Sequence, residues 1–275
     1  MSPLVSAKWL KDNLDNPNLV LLDASIDFQI PTETEKDKVN LIPNSRRFDY
    51  DSEFCDPNSA LPHMMPSEAR FNALAQALGI NNSSLIVVYD NAGTFASPRA
   101  YWMFKAMGHQ EVVILNGGLT AWKAQGYTVT QSYLSDIVAG DFEGQYQGQW
   151  FVDADYVEQQ IDAKDSTTID ARGKPRFLGT VAEPREGVRA GHIPNSVCLP
   201  FAELIDGHQF KAVSDIEPLL HSLVTDRNQQ IIFSCGSGVT ACILSVAAQL
   251  CGYHDLRVYD GSWTEWGQDH NRPIA

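Results

Sequence analysis

The chain lacks any run of about 18 apolar residues, so no segment is expected to cross a membrane as a helix. Its opening, Met1-Ser2-Pro3-Leu4-Val5-Ser6, has no basic stretch followed by an apolar one, and no secretory signal is expected. Cysteine is scarce: Cys55, Cys198, Cys235, Cys242 and Cys251 are odd in number, widely spaced and include no C-x-x-C pair. That pattern fits reduced thiols in a cytoplasm better than a disulfide framework or a zinc site. Positive charge is also short. With 20 Lys and Arg against 34 Asp and Glu, the net charge of −14 repels nucleic acid and anionic membranes. Any anionic substrate must therefore meet a locally positive pocket.

What is present is a repeat. Leu22-Asp23-Ala24 returns as Ile169-Asp170-Ala171, and Ile42-Pro43-Asn44-Ser45 returns unchanged as Ile193-Pro194-Asn195-Ser196. Val87-Val88-Tyr89 lies over Ile231-Ile232-Phe233. In the same gapless register Gly108 meets Gly252, Gly117 meets Gly261, Thr120 meets Thr264 and Trp122 meets Trp266. A repeat of this length is a duplicated domain and not a solenoid unit. The polar stretch Thr130 to Trp150, rich in Gly, Gln and Ser, holds the expected linker at 136–150, between a first domain at 1–135 and a second at 151–275.

Within each half, short aliphatic runs alternate with helical spacing. Strands are predicted over Leu19–Ala24, Leu85–Tyr89 and Val112–Leu115, then Thr167–Asp170, Gln230–Phe233 and Leu256–Tyr259. Helices are predicted over Ser67–Leu78 with Ser67 as cap, Pro98–Met107, Ala154–Ile161 and Val239–Leu250. The fold class is α/β: two tandem domains, each a parallel sheet with helices on both faces. Sites in such sheets form beyond the carboxyl ends of strands.

One segment falls at such an end. Cys235-Gly236-Ser237-Gly238-Val239-Thr240 follows a buried strand and precedes an apolar helix. A small-residue loop there lets backbone N–H groups converge on one point, with the helix dipole adding to their field. Such a place favours the thiolate of a cysteine and holds it as a nucleophile. The plainer alternative is a small buried cysteine beside a flexible turn. Cys242 and Cys251 lie in the apolar helix that follows and read as packing.

These residues resemble the two-domain rhodanese-like sulfurtransferases over essentially the whole chain. The resemblance rests on the Cys235 loop, on Asp170-Ala171-Arg172, on Gly191-His192-Ile193-Pro194-Asn195-Ser196, and on Tyr259-Asp260-Gly261-Ser262-Trp263. The loop is most similar to that of the 3-mercaptopyruvate enzymes. Thiosulfate-preferring relatives carry basic side chains where this chain has Gly236 and Ser237. The resemblance implies a persulfide on Cys235, cradled by loop amides, with Gly236, Gly238, Val239 and Thr240 in the substrate-binding loop. Glycines at 236 and 238 permit the turn.

It also implies Arg176 and Arg185 as cations for the donor's carboxylate and keto oxygen, suited to that task by their planar fork. Arg172 is expected to brace the loop through an ion pair. Ser237, His63 and Asp51 resemble the family's Ser–His–Asp arrangement for proton handling, with Asp49 as the rival to Asp51. The tryptophans, Asp23, Asp170 and His192 recur in both halves or mark turns, and read as structural.

The implied cycle moves sulfur from 3-mercaptopyruvate to Cys235 and on to cyanide, a small thiol or thioredoxin, releasing pyruvate. The partners expected are that small anionic donor, or thiosulfate, and a thiol acceptor. No metal or organic cofactor, nucleic acid or membrane is implied, and a monomer is expected. A thiosulfate:cyanide sulfurtransferase is the alternative. A C-x₅-R phosphatase is disfavoured because Ala241 stands where the arginine belongs. A non-catalytic binding module is disfavoured because the cysteine is kept with its loop intact.

Overall fold

The computed structural model describes residues 2–33 and 35–275. These residues form two compact units. The first comprises the chain to Pro57, Met65–Gln147 and a short piece at Asp206–Phe210. The second comprises Asn58–Met64, Gly148–Ile205 and Lys211–Ala275.

The first unit runs β1 (Leu4–Val5), α1 (Ala7–Asn13), β2 (Leu19–Asp23), β3 (Ser45–Arg47), α2 (Glu68–Ala77), β4 (Leu85–Tyr89), α3 (Ser97–Ala106), β5 (Val112–Leu115) and α4 (Gly118–Ala124). Its parallel sheet has the order β1-β5-β4-β2-β3. The second part of the chain runs β6 (Phe151–Val152), α5 (Ala154–Gln159), β7 (Ser166–Asp170), α6 (Lys174–Phe177), β8 (Val197–Cys198), the hairpin β9 (Ile205–Asp206) and β10 (Gln209–Phe210), α7 (Val213–His221), β11 (Gln230–Ser234), α8 (Ala241–Leu250), β12 (Leu256–Tyr259) and α9 (Ser262–Gln268). The main sheet there has the order β6-β12-β11-β7-β8, the same topology again.

The predicted strands and helices form within a residue or two of their expected ends. For Val239–Leu250 the difference is informative: α8 starts at Ala241, which leaves Val239 and Thr240 in the loop. Ser67 caps α2 by accepting the Arg70 N–H, as its residue type requires. The short edge strands and the hairpin escape a pattern reading because two or three residues carry no periodicity.

Both repeated tryptophans are core. Trp122 and Trp266 are 1% and 0% exposed, and each indole N–H donates to a carbonyl, Thr128 O and Pro273 O, at 2.8 Å. Truncating either to alanine is expected to cost about 3–5 kcal/mol.

The stretch expected as linker is bound down as far as Gln147. Gly140 N donates to Gln76 O at 2.9 Å, Phe142 N donates to Ile80 O at 3.1 Å, and Asn82 pairs with Asp141. Phe142 is buried among Phe71, Phe104 and His109. Close approach explains the glycine here: a Cβ at 140 would overlap the Ile80 carbonyl. It is mainly the backbone of this stretch that is tied to α2 and the turn after it, with Asn72 and Gln76 reaching it from the helix.

Candidate functional site

Cys235 directly follows β11, at the carboxyl end of the second unit's sheet. It is 2% exposed, whereas Gly236 and Thr240 on either side of the loop are partly exposed. The turn demands a left-handed residue at Gly238, φ 75°. Among the described residues, the N–H groups of Gly236, Ser237, Val239 and Thr240 donate to no protein acceptor. Four amides of the Cys235 loop are thus unspent.

The first unit supplies an internal comparison. Its equivalent loop, in the repeat register, is Asn91 to Ala96, and Asp90 occupies the place of Ser234. The buried Asp90 carboxylate takes the amides itself. Oδ2 accepts from Phe95, Ala96 and Ser97 N at 3.0, 2.9 and 2.9 Å and from Ser97 Oγ at 2.9 Å; Oδ1 accepts from Gly93 N at 2.9 Å. Burial pushes this carboxyl up, opposed by those hydrogen bonds. The loop at this point of the fold suits an anion. In the second unit Ser234 stands there instead, with a buried hydroxyl that has no hydrogen-bond partner among the described residues.

Beneath the loop, Ser262 N-terminal to Trp263 is held at φ 50°, an unfavourable conformation for a residue with a Cβ. Its hydroxyl donates to Tyr259 O at 2.8 Å, accepts the Cys235 N–H at 3.1 Å and lies 3.9 Å from Cys235 Sγ. Gly118, the counterpart in the first unit, has φ 52°. Sequence reasoning missed Ser262. The signal available was serine opposite glycine at a repeated turn.

Around the loop the arginines are placed unequally. The Arg176 guanidinium lies over Gly236, where an added Cβ would come within 3.4 Å of it. Arg176 is gripped by Glu183, with Nε 3.1 Å from Oε1 and a second, short contact to Oε2. Glu183 also accepts from Arg172 at 2.9 Å. Arg172 is buried as a brace: it binds Asp170 with two nitrogens, donates to Gly191 O at 2.8 Å and stacks 4.4 Å over Trp263. Arg185 donates to Thr264 Oγ1 at 2.9 Å, and Thr264 in turn binds Gly236 O.

Of the expected Ser–His–Asp set, Ser237 and His63 fall in the second unit and Asp51 in the first. His63 is buried at 3% and its segment, Asn58–Met64, clusters with the second unit and not with the first-half residues around it. The Ser237 hydroxyl makes no hydrogen bond to another described residue, so it is not joined to His63. Asp51 is exposed on the first unit, and Asp49 is spent locally: its Oδ1 accepts from Asp51 and Ser52 N at 3.0 Å and its Oδ2 pairs with Arg47. A turn rich in acidic residues satisfies its own amides first. Cys198, half-buried near Asp170, has its thiol pushed up to about 11 by burial, and Cys251 likewise.

Two copies of one parallel α/β domain, with a cysteine loop at the strand ends of the second alone, define the class. The rhodanese-like domain family matches residues 6–125 and again 153–269. The chain belongs to that family. It is 38% identical to thiosulfate/3-mercaptopyruvate sulfurtransferase 1, mitochondrial, of Arabidopsis thaliana, over 99% of this chain and 78% of the relative. It is 36% identical to 3-mercaptopyruvate sulfurtransferase of Rattus norvegicus, over 96% and 91%. Among solved structures it is similar to SseA from Escherichia coli, described as a 3-mercaptopyruvate sulfotransferase, with a TM-score of 0.83, 29% identity and coverage of 96% of this chain and 99% of that one.

Proposed function

We propose that this protein is a sulfurtransferase that takes the sulfur of 3-mercaptopyruvate onto Cys235 as a persulfide and passes it to a thiol or to cyanide. The observation that carries this reading is the contrast between the two loops: amides spent on Asp90 in one and unspent beside Cys235 in the other. In the cycle, the Cys235 thiolate attacks the donor's sulfur and forms an S–S bond. The C–S bond breaks, and its electron pair becomes a pyruvate enolate that takes up a proton. Ser237 and His63 handle that proton, and their hydrogen bond forms only with substrate in place. Arg176 and Arg185 bind the donor, and the loop amides of Gly236, Gly238, Val239 and Thr240 hold the outer sulfur. Asp51, exposed in its turn, completes the set.

In this reading the domain at 151–275 does the chemistry, and the domain at 1–135 is catalytically silent because it lacks a nucleophile at Asn91. The acceptor is thioredoxin or a small thiol, and the protein works as a monomer in the cytoplasm. Five free thiols support a reducing setting. Among the described residues no helix is long and apolar enough to cross a membrane.

The test is a comparison of initial rates with 3-mercaptopyruvate and with thiosulfate, cyanide being the common acceptor. A higher kcat/KM for 3-mercaptopyruvate is expected, with transfer from either donor abolished in Cys235→Ser. A large preference for thiosulfate moves the assignment to thiosulfate:cyanide sulfurtransferase. Turnover that survives in Cys235→Ser overturns the scheme.

A further inference from the structure

The charges around the Cys235 loop do not add up evenly. Asp170, Arg172, Glu183 and Arg176 form an alternating row of buried and half-buried partners whose formal charges cancel. Arg176 has both its Nε and a terminal nitrogen committed to Glu183, a carboxylate whose side chain is only 3% exposed. A donor carboxylate can claim those nitrogens only by displacing a buried ion, which costs the desolvation of whichever group loses its partner.

Arg185 is different. Among the described residues it makes no ion pair, and its described hydrogen bond goes to a neutral oxygen, Thr264 Oγ1. Thr264 is 5% exposed and donates twice to Gly236 O, through Oγ1 at 2.6 Å and through its N–H at 2.9 Å. A hydroxyl has one proton. Here the carbonyl takes it, so the oxygen's lone pair faces Arg185 and can only accept. The result is a directed chain from guanidinium to hydroxyl to the carbonyl of the residue next to Cys235. Arg185 is an exposed residue, and its remaining N–H groups have no acceptor among the described residues.

We infer that Thr264 is a positioning residue that aims Arg185 at the donor's carboxylate, and that Arg185, not Arg176, supplies the uncompensated positive charge of the site. This deepens the proposed function and rests on it. A long, otherwise free guanidinium loses rotamer freedom on binding substrate. Holding it in advance through Thr264 reduces that cost and shows up as tighter donor binding, with little effect on the bond-breaking step. Arg176, laid over Gly236 and paired with Glu183, meets the donor as half of a neutral pair and not as a free charge.

The experiment compares Thr264→Val, Thr264→Ser and Arg185→Gln by two readouts. In steady state with 3-mercaptopyruvate, Thr264→Val is expected to raise KM about tenfold with kcat changed less than about twofold, and Thr264→Ser to restore KM. In the second readout Cys235 is alkylated with iodoacetate and with iodoacetamide. The rate ratio of the anionic to the neutral reagent is expected to fall several-fold in Thr264→Val and in Arg185→Gln, and to stay near the wild-type ratio in Thr264→Ser. A merely looser loop would move both reagents together and leave the ratio unchanged. That result, or an unchanged KM in Thr264→Val, overturns the inference. Wild-type protein that fails to turn over 3-mercaptopyruvate would sink the functional reading instead, and the alkylation ratio would still decide whether Thr264 aims Arg185.

Discussion

The hydroxyl of Ser262 lies 3.9 Å from the sulfur of Cys235, on a backbone held at φ 50°. The first half of the chain meets the same turn with Gly118 at φ 52°, where a Cβ would overlap the carbonyls of Asp90 and Gly93. The second half therefore keeps a side chain in a conformation that glycine would adopt without strain. Left-handed backbone costs a residue with a Cβ about 1–2 kcal/mol.

That relationship makes an ordered prediction. Ser262→Ala keeps the strain and loses the hydroxyl's hydrogen bonds, and is expected to lower stability by about 2 kcal/mol. Ser262→Gly loses the same bonds but relieves the strain, and is expected to stay within about 1 kcal/mol of the wild type. Both should slow sulfur transfer. Urea unfolding of the three proteins is the check. Equal stabilities for the alanine and glycine variants would remove strain from the account.

A second prediction follows from Asp90. If a carboxylate at that position fills the first loop, Ser234→Asp should fill the second and compete with any anion on Cys235. Transfer from 3-mercaptopyruvate should fall by about 100-fold, a loss typical of a withdrawn oxyanion donor. Ser234→Asn, uncharged, should retain most activity. Persulfide on Cys235, counted by release to cyanide after one exposure to donor, separates the two variants; equal loads in both would contradict the comparison between loops.

The third concerns pH. Glu33 is buried against Lys36, with Ile30 N donating to it at 2.9 Å, and burial pushes its carboxyl up to about 7. In the unfolded chain the same group titrates near its ordinary value, about 4.3. Between those values the folded state binds the extra proton, so this group's contribution to stability declines as pH rises from about 4.5 to 7 and is level above that. Glu33→Gln keeps the acceptor for Ile30 and removes the titration. The stability gap in favour of the variant should be near zero at pH 4.5 and open to its full size by pH 8, measured by chemical unfolding at each pH. A gap that does not change with pH counts against the assignment.

The chain's own pattern determined a good deal. The register that pairs Trp122 with Trp266 and Gly117 with Gly261 is a property of the residues, and it is why both sheets have one topology. Apolar runs such as Leu85–Tyr89 and Ile231–Phe233 read as buried strands in that setting, since both their faces are apolar. The glycine-rich loop around Cys235 was readable for the same local reason: its turn needs residues without a Cβ.

Only the tertiary structure decided how polar groups pair, because such pairing depends on positions far apart in sequence. Nothing local indicates that Glu183 neutralises Arg176 while Arg185 is left to Thr264, 79 residues away. Nothing local distinguishes Asp90, which fills a ring of amides, from Asp51, which lies exposed in a turn. His63 belongs by sequence to the first half and by packing to the second unit. Apolar periodicity records which face of an element is buried. The partner of a buried charge is set by which side chains the completed fold brings within hydrogen-bond reach, and that information exists only once the chain has closed on itself.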